Sequence, residues 1–393
     1  MPACDPLFLL PPEYGIVRHL LIAAKAPAKI RWRQLLIFAA TFCSGFASAG
    51  TAPHPALYFP TENAAWETVS PAVLGWDETK LNAALDYAMQ ERSAGIVILY
   101  RGKIAAERHA LLKTTDATGQ LSRYGFVAKP PTPDGRSRED VASVQKSVIS
   151  VLIGIAQQKG LINIEKPVSK YLGDNWSAAS SAEEREITVE HLLAMSSGLN
   201  LALAMEHPPG EKWFYNTAAY GLLATILEQV TARPLQTLSE SWLLGPLQMS
   251  ASHWEARVWA KDRPEAVANG FVSTARDLSR FGLLMLAKGR WGKQQIFAFD
   301  EYFVSGIRNA KSDNPNYGYL WWLNRDANNP TGDKLIATAP NDLYAAQGAL
   351  RRSVFVAPRA GLVVVRIGDQ PGDKFSAKLW RKLAEAMHLD IEP

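Results

Sequence analysis

The residues with the clearest chemical potential are Ser143 and Lys146, three positions apart in Ser-Val-Gln-Lys. They lie in residues 139–160, an apolar stretch that predicts one buried helix with Gly160 just past its end. Because residues three apart share a helix face, the hydroxyl and the amine would point the same way. A lysine in a dry site can lose its proton and take one from serine. The spacing therefore predicts Ser143 as a nucleophile and Lys146 as its base.

A structural role for the same pair stays open at this point, because so short a motif also arises by chance in a chain of 393 residues. Ser143 would then be a small packing residue, and Lys146 would extend its ammonium to water from a helix edge. Lys146 is the only lysine of the sequence with serine three positions before it. The surrounding sequence has to decide between the two interpretations.

Length and charge narrow the class of protein. The 393 residues are enough for two subdomains around a substantial core. Lysine and arginine number 42 against 38 acidic residues, and leaving out residues 1–49 gives 37 against 36, a net charge of +1. A nearly neutral chain gives no electrostatic reason to bind nucleic acid.

Residues 1–49 have the pattern of an export signal. Arg31 and Arg33 precede a short apolar run, and Ala47-Ser48-Ala49 matches a small-x-small cleavage site. The run is too short to favour a stable membrane-spanning helix. We therefore predict cleavage after Ala49 and a periplasmic or secreted protein, with residues 50–75 as a leader rich in Pro, Ala and Thr.

Cys4 and Cys43 are the two cysteines of the sequence, and both precede the predicted cleavage site. A chain cut there would have none, which excludes disulfides and cysteine–metal sites. No group of His, Asp and Glu has metal-ligand spacing, and no Gly-x-Ser-x-Gly motif occurs. We expect no metal, no cofactor and no α/β-hydrolase triad.

The order of the predicted elements indicates an α+β fold. A strand hairpin comes first, a long helical stretch follows, and strands and a closing helix complete the chain. Both ends would then form one sheet domain, with a helical domain inserted between them. We place the sheet domain at 76–135 and 291–393, and the helical domain at 136–290 with Ser143 at the interface.

Several blocks of the sequence, in this order, resemble the serine β-lactamase and penicillin-binding-protein-like superfamily on the class C β-lactamase side. The blocks are 142–147, 160–172, 187–198, 209–215 with 220–223, 270–282 and 317–322, within roughly residues 75–390. That group includes D,D-peptidases, EstB-type esterases and 6-aminohexanoate-dimer hydrolases. The resemblance implies a β-lactamase/transpeptidase-like fold, an antiparallel sheet flanked by helices with an inserted helical domain.

The second motif of that superfamily, Tyr-x-Asn, aligns with Tyr215-Asn216-Thr217. The resemblance implies that the Tyr215 phenol shares protons with Lys146 and Ser143. Thr217 replaces the usual Asn, which removes a side-chain amide from the substrate site. Alternatively, Tyr215 is a buried aromatic residue whose hydroxyl is hydrogen-bonded. Trp213 could line the cleft beside Tyr215.

The third motif, usually Lys or His followed by a variable residue and Gly, aligns with Ala346-Gln347-Gly348 and lacks the cation. Gly348 would let substrate and backbone approach closely, with Gln347 beside it. The resemblance implies an oxyanion hole formed by the N–H groups of Ser143 and Ala349. Arg351 or Arg352 could replace the cation and hold a carboxylate; alternatively, both are solvated residues at a strand edge.

Together these residues predict an exported serine hydrolase that cleaves an amide or ester bond through an acyl-enzyme on Ser143. The alternatives are a D,D-peptidase or β-lactamase, and a catalytically weak binding or regulatory protein on the same scaffold. The altered second and third motifs favour simple esters or linear amides over β-lactams. The expected partner is a small-molecule or short-peptide-like substrate, and the sequence leaves the oligomeric state open.

Overall fold

The computed structural model describes residues 56–391 except 62–64, 112–128, 261–262, 264–266, 310, 326–328 and 330. The predicted export segment, residues 1–49, lies outside this range. Within it, no helix combines the length and the apolar character that crossing a membrane requires.

A six-stranded antiparallel sheet is assembled from both ends of the described chain. The strands of the protein are β1 (Ser93–Tyr100), β2 (Lys103–His109), β3 (Glu139–Asp140), β4 (His253–Ala256), β5 (Asn269–Ser273), β6 (Arg290–Trp291), β7 (Gln294–Gln295), β8 (Trp322–Leu323), β9 (Tyr344–Gly348), β10 (Arg352–Ala357) and β11 (Leu362–Gly368). The large sheet has the order β2-β1-β11-β10-β9-β8, a smaller sheet has the order β3-β5-β4, and β6 pairs with β7. Strand β1, from the hairpin near the start of the fold, therefore pairs with β11, the last strand of the fold; Val97, for example, lies opposite Val365.

Helices cover both faces of the large sheet. The α-helices of the described residues are α1 (Glu78–Gln90), α2 (Val144–Gln158), α3 (Ser169–Leu172), α4 (Ser181–Glu184), α5 (Val189–Leu193), α6 (Thr217–Thr231), α7 (Leu235–Ser239), α8 (Gly245–Leu247), α9 (Ala275–Leu286), α10 (Glu301–Arg308) and α11 (Phe375–Met387). Trp380 of α11 packs on Phe355, whereas Gly282 of α9 lies against Val354. Since consecutive strand residues face opposite sides, α11 and α9 lie on opposite faces. The predicted α+β fold is confirmed.

Side-chain caps start several of the helices. Asp77 accepts a hydrogen bond from the backbone at the start of α1, and Thr188 and Thr274 do the same for α5 and α9. Gly160 follows α2 with φ of 71°, the left-handed conformation expected just past a helix end.

Helix α2 begins later than expected, at Val144 rather than at residue 139. Glu139 and Asp140 are instead extended, because they pair with Ser273 and Val272 of β5. This pairing ends just before Ser143 and leaves it at the N-terminal cap of α2. The serine therefore lies where the smaller sheet meets the helix.

Helix α9 packs directly against the large sheet. A Cβ on Gly282 would lie 2.5 Å from a methyl group of Val363, so the helix approaches β10 and β11 as closely as a glycine allows. The sequence-based division assigned this helix to the helical domain. The division as a whole stays a prediction.

Candidate active site

Ser143 is presented at the N-terminus of α2 by a tight turn. The preceding residue, Ala142, has φ of 52°, in the left-handed region that residues with a Cβ rarely adopt. Ser143 is half-buried, while its neighbours Ala142 and Val144 are buried. The turn therefore exposes the serine side chain at the positive end of a helix, where developing negative charge is favoured.

Lys146 lies one helical turn further along and reaches back to the serine. Its Nζ donates to Ser143 Oγ at 3.1 Å and to Thr217 Oγ1 at 3.3 Å. The residue is 3% exposed. Its Nζ lies 4.9 Å from the centre of the Tyr215 ring and 4.6 Å from that of Tyr220. The amine is thus enclosed by hydroxyl groups and aromatic rings.

This environment shifts the ionisation of both groups beside the serine. Burial holds the pKa of Lys146 well below its usual range, and the positive charge of Arg257 lowers it further. Burial raises the pKa of Tyr215, and a hydrogen bond with Ser143 offsets part of that effect. The site favours a neutral amine and a neutral phenol around one serine hydroxyl.

Thr217 and Asn216 have different roles at the start of α6. Asn216 caps the helix, accepting from Ala219 N at 3.0 Å, and its amide donates to the carbonyls of Leu199 and Asn200. It therefore points away from the serine, as expected for a residue one place before the motif position. Thr217, at that position, supplies the hydroxyl that contacts Lys146.

An aromatic wall lines one side of the site. Tyr215 stacks on Trp322 with ring centres 6.1 Å apart, and Tyr317 meets Trp322 edge-on at 4.9 Å. Trp213 lies 5.5 Å from Tyr317 and is half-buried, so its ring is partly open to solvent. Trp321 faces away from this wall and is buried in the core. The structure thus brings Trp213 beside Tyr215.

The end of β9 lies directly against the turn that carries Ser143. A Cβ added to Gly348 would lie 2.5 Å from the carbonyl oxygen of Val141 and 3.0 Å from Ser143 N. Ala349 follows and is half-buried, while Gln347 is 6% exposed. The structure thus juxtaposes the segments that would form the oxyanion hole. The roles of the two N–H groups and of Gln347 stay predictions.

The sequence matches a protein-family model described as Beta-lactamase over residues 81–388. The chain belongs to the beta-lactamase family. The match includes Ser143, Lys146, Tyr215 and Gly348, and it confirms the resemblance that the sequence blocks indicated.

Proteins similar to this beta-lactamase-family chain include a curated relative and two solved structures. An uncharacterized protein of Alkalihalophilus pseudofirmus is 27% identical over 251 residues, 58% of this chain and 72% of the relative. A Bacillus anthracis protein provisionally described as a 6-aminohexanoate-dimer hydrolase has a TM-score of 0.59 at 14% identity, covering 83% of this chain and 87% of its own. A family VIII carboxylesterase has a TM-score of 0.57 at 14% identity, covering 77% and 96%. At such identities the two solved structures show the fold alone.

This beta-lactamase-family chain turns its two candidate replacement cations inward. Arg352 is fully buried, and its Nε donates to Glu139 Oε2 at 2.7 Å. Arg351 is 7% exposed. The alternative that both arginines are solvated is therefore wrong. Arg352 is committed to a carboxylate of the protein itself, and a substrate contact of Arg351 stays a prediction.

Sequence reasoning missed several residues of this beta-lactamase-family site. Tyr220 contacts Lys146 through its ring, although the sequence block that contains it predicts no role for it. Gln145 lies within the Ser-Val-Gln-Lys motif and accepts a hydrogen bond from Arg257. Arg257 had no local signal at all. In the part of the chain that the structure describes, no three His, Cys, Asp or Glu side chains are grouped to hold a metal ion.

Proposed function

We propose that this protein is an exported serine hydrolase that cleaves an ester or amide bond through an acyl-enzyme on Ser143. The observation that carries the proposal is the 3.1 Å contact between Lys146 Nζ and Ser143 Oγ within a buried site. A base must lie within hydrogen-bond distance of the hydroxyl that it deprotonates, whereas a lysine with a purely structural role has no such requirement.

Acylation uses three side chains and two backbone groups. Lys146, as a neutral amine, takes the proton of Ser143 while Oγ attacks the carbonyl carbon. The N–H groups of Ser143 and Ala349 stabilise the oxyanion, a contribution whose loss typically costs about 10²–10³-fold in rate. The bond to the leaving oxygen or nitrogen then breaks. The proton passes through Lys146 and the Tyr215 phenol to that leaving group.

Deacylation reverses these roles. A water molecule attacks the carbonyl carbon of the acyl-enzyme, and its proton passes to the same amine and phenol pair. The bond to Ser143 Oγ breaks, the serine regains its proton, and a carboxylic acid leaves. Because Lys146 and Tyr215 interact closely, the pair and not either residue sets the observed ionisation constants.

The walls of the site favour uncharged, apolar groups on the substrate. Trp213 and Trp322 line one side. Trp259 packs beside Ala142 and Leu350, next to the serine turn. Such aromatic surfaces bind apolar groups through area and shape. They support a simple ester or a linear amide as the substrate.

Labelling with a fluorophosphonate probe tests the nucleophile. We expect covalent label on the wild type and none on Ser143→Ala. Ser150→Ala is a matched control on the same helix, because its hydroxyl donates to the carbonyl of Tyr319 inside the core; this variant should still be labelled. An unlabelled wild type, or equal label on Ser143→Ala, would reject the hydrolase and favour a binding protein on the same scaffold.

The export part of the proposal is supported by the sequence pattern of residues 31–49. Expression in a bacterial host should give a mature protein that begins near Gly50. N-terminal sequencing of the periplasmic or secreted fraction decides this point. Mature protein that retains Arg31 to Ala49 would contradict it.

A further inference from the structure

Arg257 and Asp140 form an ion pair behind the turn that carries Ser143. Arg257 Nε and Nη2 each donate to the Asp140 carboxylate at 2.7 Å, and the two side chains are 8% and 6% exposed. Asp140 Oδ1 also accepts from Ala142 N at 2.9 Å. The carboxylate thus holds Ala142 in its left-handed conformation, one residue before the nucleophile.

Gln145 connects this ion pair to the first turn of α2. Arg257 Nη2 donates to Gln145 Oε1 at 3.0 Å, and the same oxygen accepts from Phe271 N at 3.0 Å. The Gln145 amide donates to the carbonyl of Asn269. The guanidinium is therefore bonded to Gln145, the residue just before Lys146 in the motif, and through it connected to β5.

Gly270 leaves the space that the ion pair occupies. A Cβ at this position would lie 2.3 Å from Asp140 Oδ2 and 2.7 Å from Arg257 Nε. Both atoms belong to a buried, bidentate pair that has little freedom to move. A side chain at residue 270 and the ion pair therefore exclude each other, which marks the pair as an integrated part of this site.

Arg257 also carries a positive charge that lowers the pKa of Lys146, after the larger effect of burial. The groups that face the Lys146 amine are the hydroxyls of Ser143 and Thr217 and the rings of Tyr215 and Tyr220. Arg257, which is paired with Asp140, is the charged group whose effect on the pKa of this amine adds to that of burial. Its charge disfavours a second cation at Lys146 and so supports the neutral amine.

We propose that Arg257 is a positioning residue for the hydrolysis, which holds the Ser143 turn through Asp140 and the first turn of α2 through Gln145, and whose positive charge acts on Lys146. This inference rests on the proposed function of Ser143. A purely structural ion pair would hold the turn without affecting the protonation of Lys146, so the pH dependence of the reaction separates the two roles.

The test is the pH profile of kcat/KM for a short-chain ester. The rate rises with pH as Lys146 loses its proton, and the midpoint of that rise is the quantity to compare. In Arg257→Met we expect the midpoint to move to higher pH by about one unit or more. In Asp140→Asn, where the Arg257 charge is no longer balanced, it should move to lower pH. Arg257→Lys keeps a charge but not the paired hydrogen bonds, so its midpoint should stay near that of the wild type while kcat falls.

Arg276→Met is the matched control, because Arg276 pairs with Glu107 through both Nε and Nη2, away from Lys146. Its midpoint should equal that of the wild type. Equal midpoints in wild type, Arg257→Met and Asp140→Asn would overturn the inference, as would shifts of both variants in the same direction. If Arg257→Met does not fold, the midpoint of Asp140→Asn alone tests the inference, because it should move to lower pH. An inactive wild type that the fluorophosphonate does not label contradicts the proposed function itself, which is a different result.

Discussion

At the scale of single residues, the surroundings of Lys146 decide which group starts the reaction. Burial depresses the pKa of the lysine and raises that of Tyr215, so losing a proton is made easier for the amine and harder for the phenol. In the proposed reaction the amine is therefore the first base, and the phenol acts as a neutral donor and relay. The rate should rise with pH through a midpoint below the usual lysine range.

Lys146→Arg tests this assignment. A guanidinium does not lose its proton near neutral pH, so the variant keeps the charge but has no base. We expect acylation to fall by about 10²–10⁴-fold, the usual contribution of such a group, with little change in KM. Lys159→Arg, exposed beyond the other end of α2, should react like the wild type. Near-normal turnover of Lys146→Arg would show that Tyr215 works without a neutral amine.

Substrate preference is also set by single residues. Penicillin-type substrates carry a carboxylate, and the positions that usually seat it hold Ala346 and Thr217 here. Arg352 is paired with Glu139. We expect kcat/KM for a short-chain ester to exceed that for a chromogenic cephalosporin on the same preparation. A higher cephalosporin value that is lost in Arg351→Ala would reverse this expectation and identify Arg351 as the replacement cation.

Ser143, Lys146 and Tyr215 could be found from the sequence because each belongs to a short block whose spacing carries chemical meaning. Arg257 could not, since it acts on Asp140 across 117 positions of the chain and no local pattern connects them. The burial of Arg352 was equally hidden. Its partner, Glu139, is brought close by the pairing of β3 with β5.

At the scale of elements, helix α2 depends on a glycine for its depth in the fold. A Cβ on Gly154 would lie 2.5 Å from the Phe303 ring and 2.6 Å from the Tyr302 ring. Tyr302 in turn donates to the carbonyl of Ser150 at 2.8 Å. Helix α10 is thus packed tightly against the helix that carries Ser143.

Gly154→Ala should therefore lower the free energy of unfolding. Overpacking typically costs about 1–3 kcal/mol, which exceeds the gain of about 1 kcal/mol in helix propensity. Gly221→Ala in α6 is the matched control, because the added Cβ meets a single methyl group of Val267 at 3.0 Å. That variant should be as stable as the wild type or slightly more so. Urea unfolding measures both; equal stability of the two variants would contradict the packing argument.

Element positions were predictable where local side chains decide them. Asp77, Thr188 and Thr274 start helices through their own hydrogen bonds. Within residues 318–324, by contrast, only Trp322–Leu323 forms a strand. The backbone just before this strand is hydrogen-bonded to α2 instead. The carbonyls of Tyr319 and Leu320 accept from the hydroxyls of Ser150 and Ser147. No pattern within residues 318–324 indicates that these carbonyls bind side chains of α2.

At the scale of the whole molecule, the closing helix stabilises a sheet that also includes the first hairpin. Trp380 of α11 is fully buried against Phe355 of β10. Trp380→Ala should cost about 3–5 kcal/mol in the free energy of unfolding, whereas Lys378→Ala on the exposed side should stay within about 0.5 kcal/mol. Thermal unfolding followed by circular dichroism compares the two. A loss below about 1 kcal/mol in Trp380→Ala would show that α11 is a dispensable cover.

The pairing of β1 with β11 also sets the order of events while the chain is being made. Strand β1 ends at Tyr100, and its neighbour in the sheet begins at Leu362. At typical rates of 5–20 residues per second, a ribosome needs roughly 15–50 s to synthesise the intervening chain. For that interval the edge of β1 that pairs with β11 has no partner strand. Such a nascent chain stays open to chaperones, and its sheet is complete only after β11 has been synthesised.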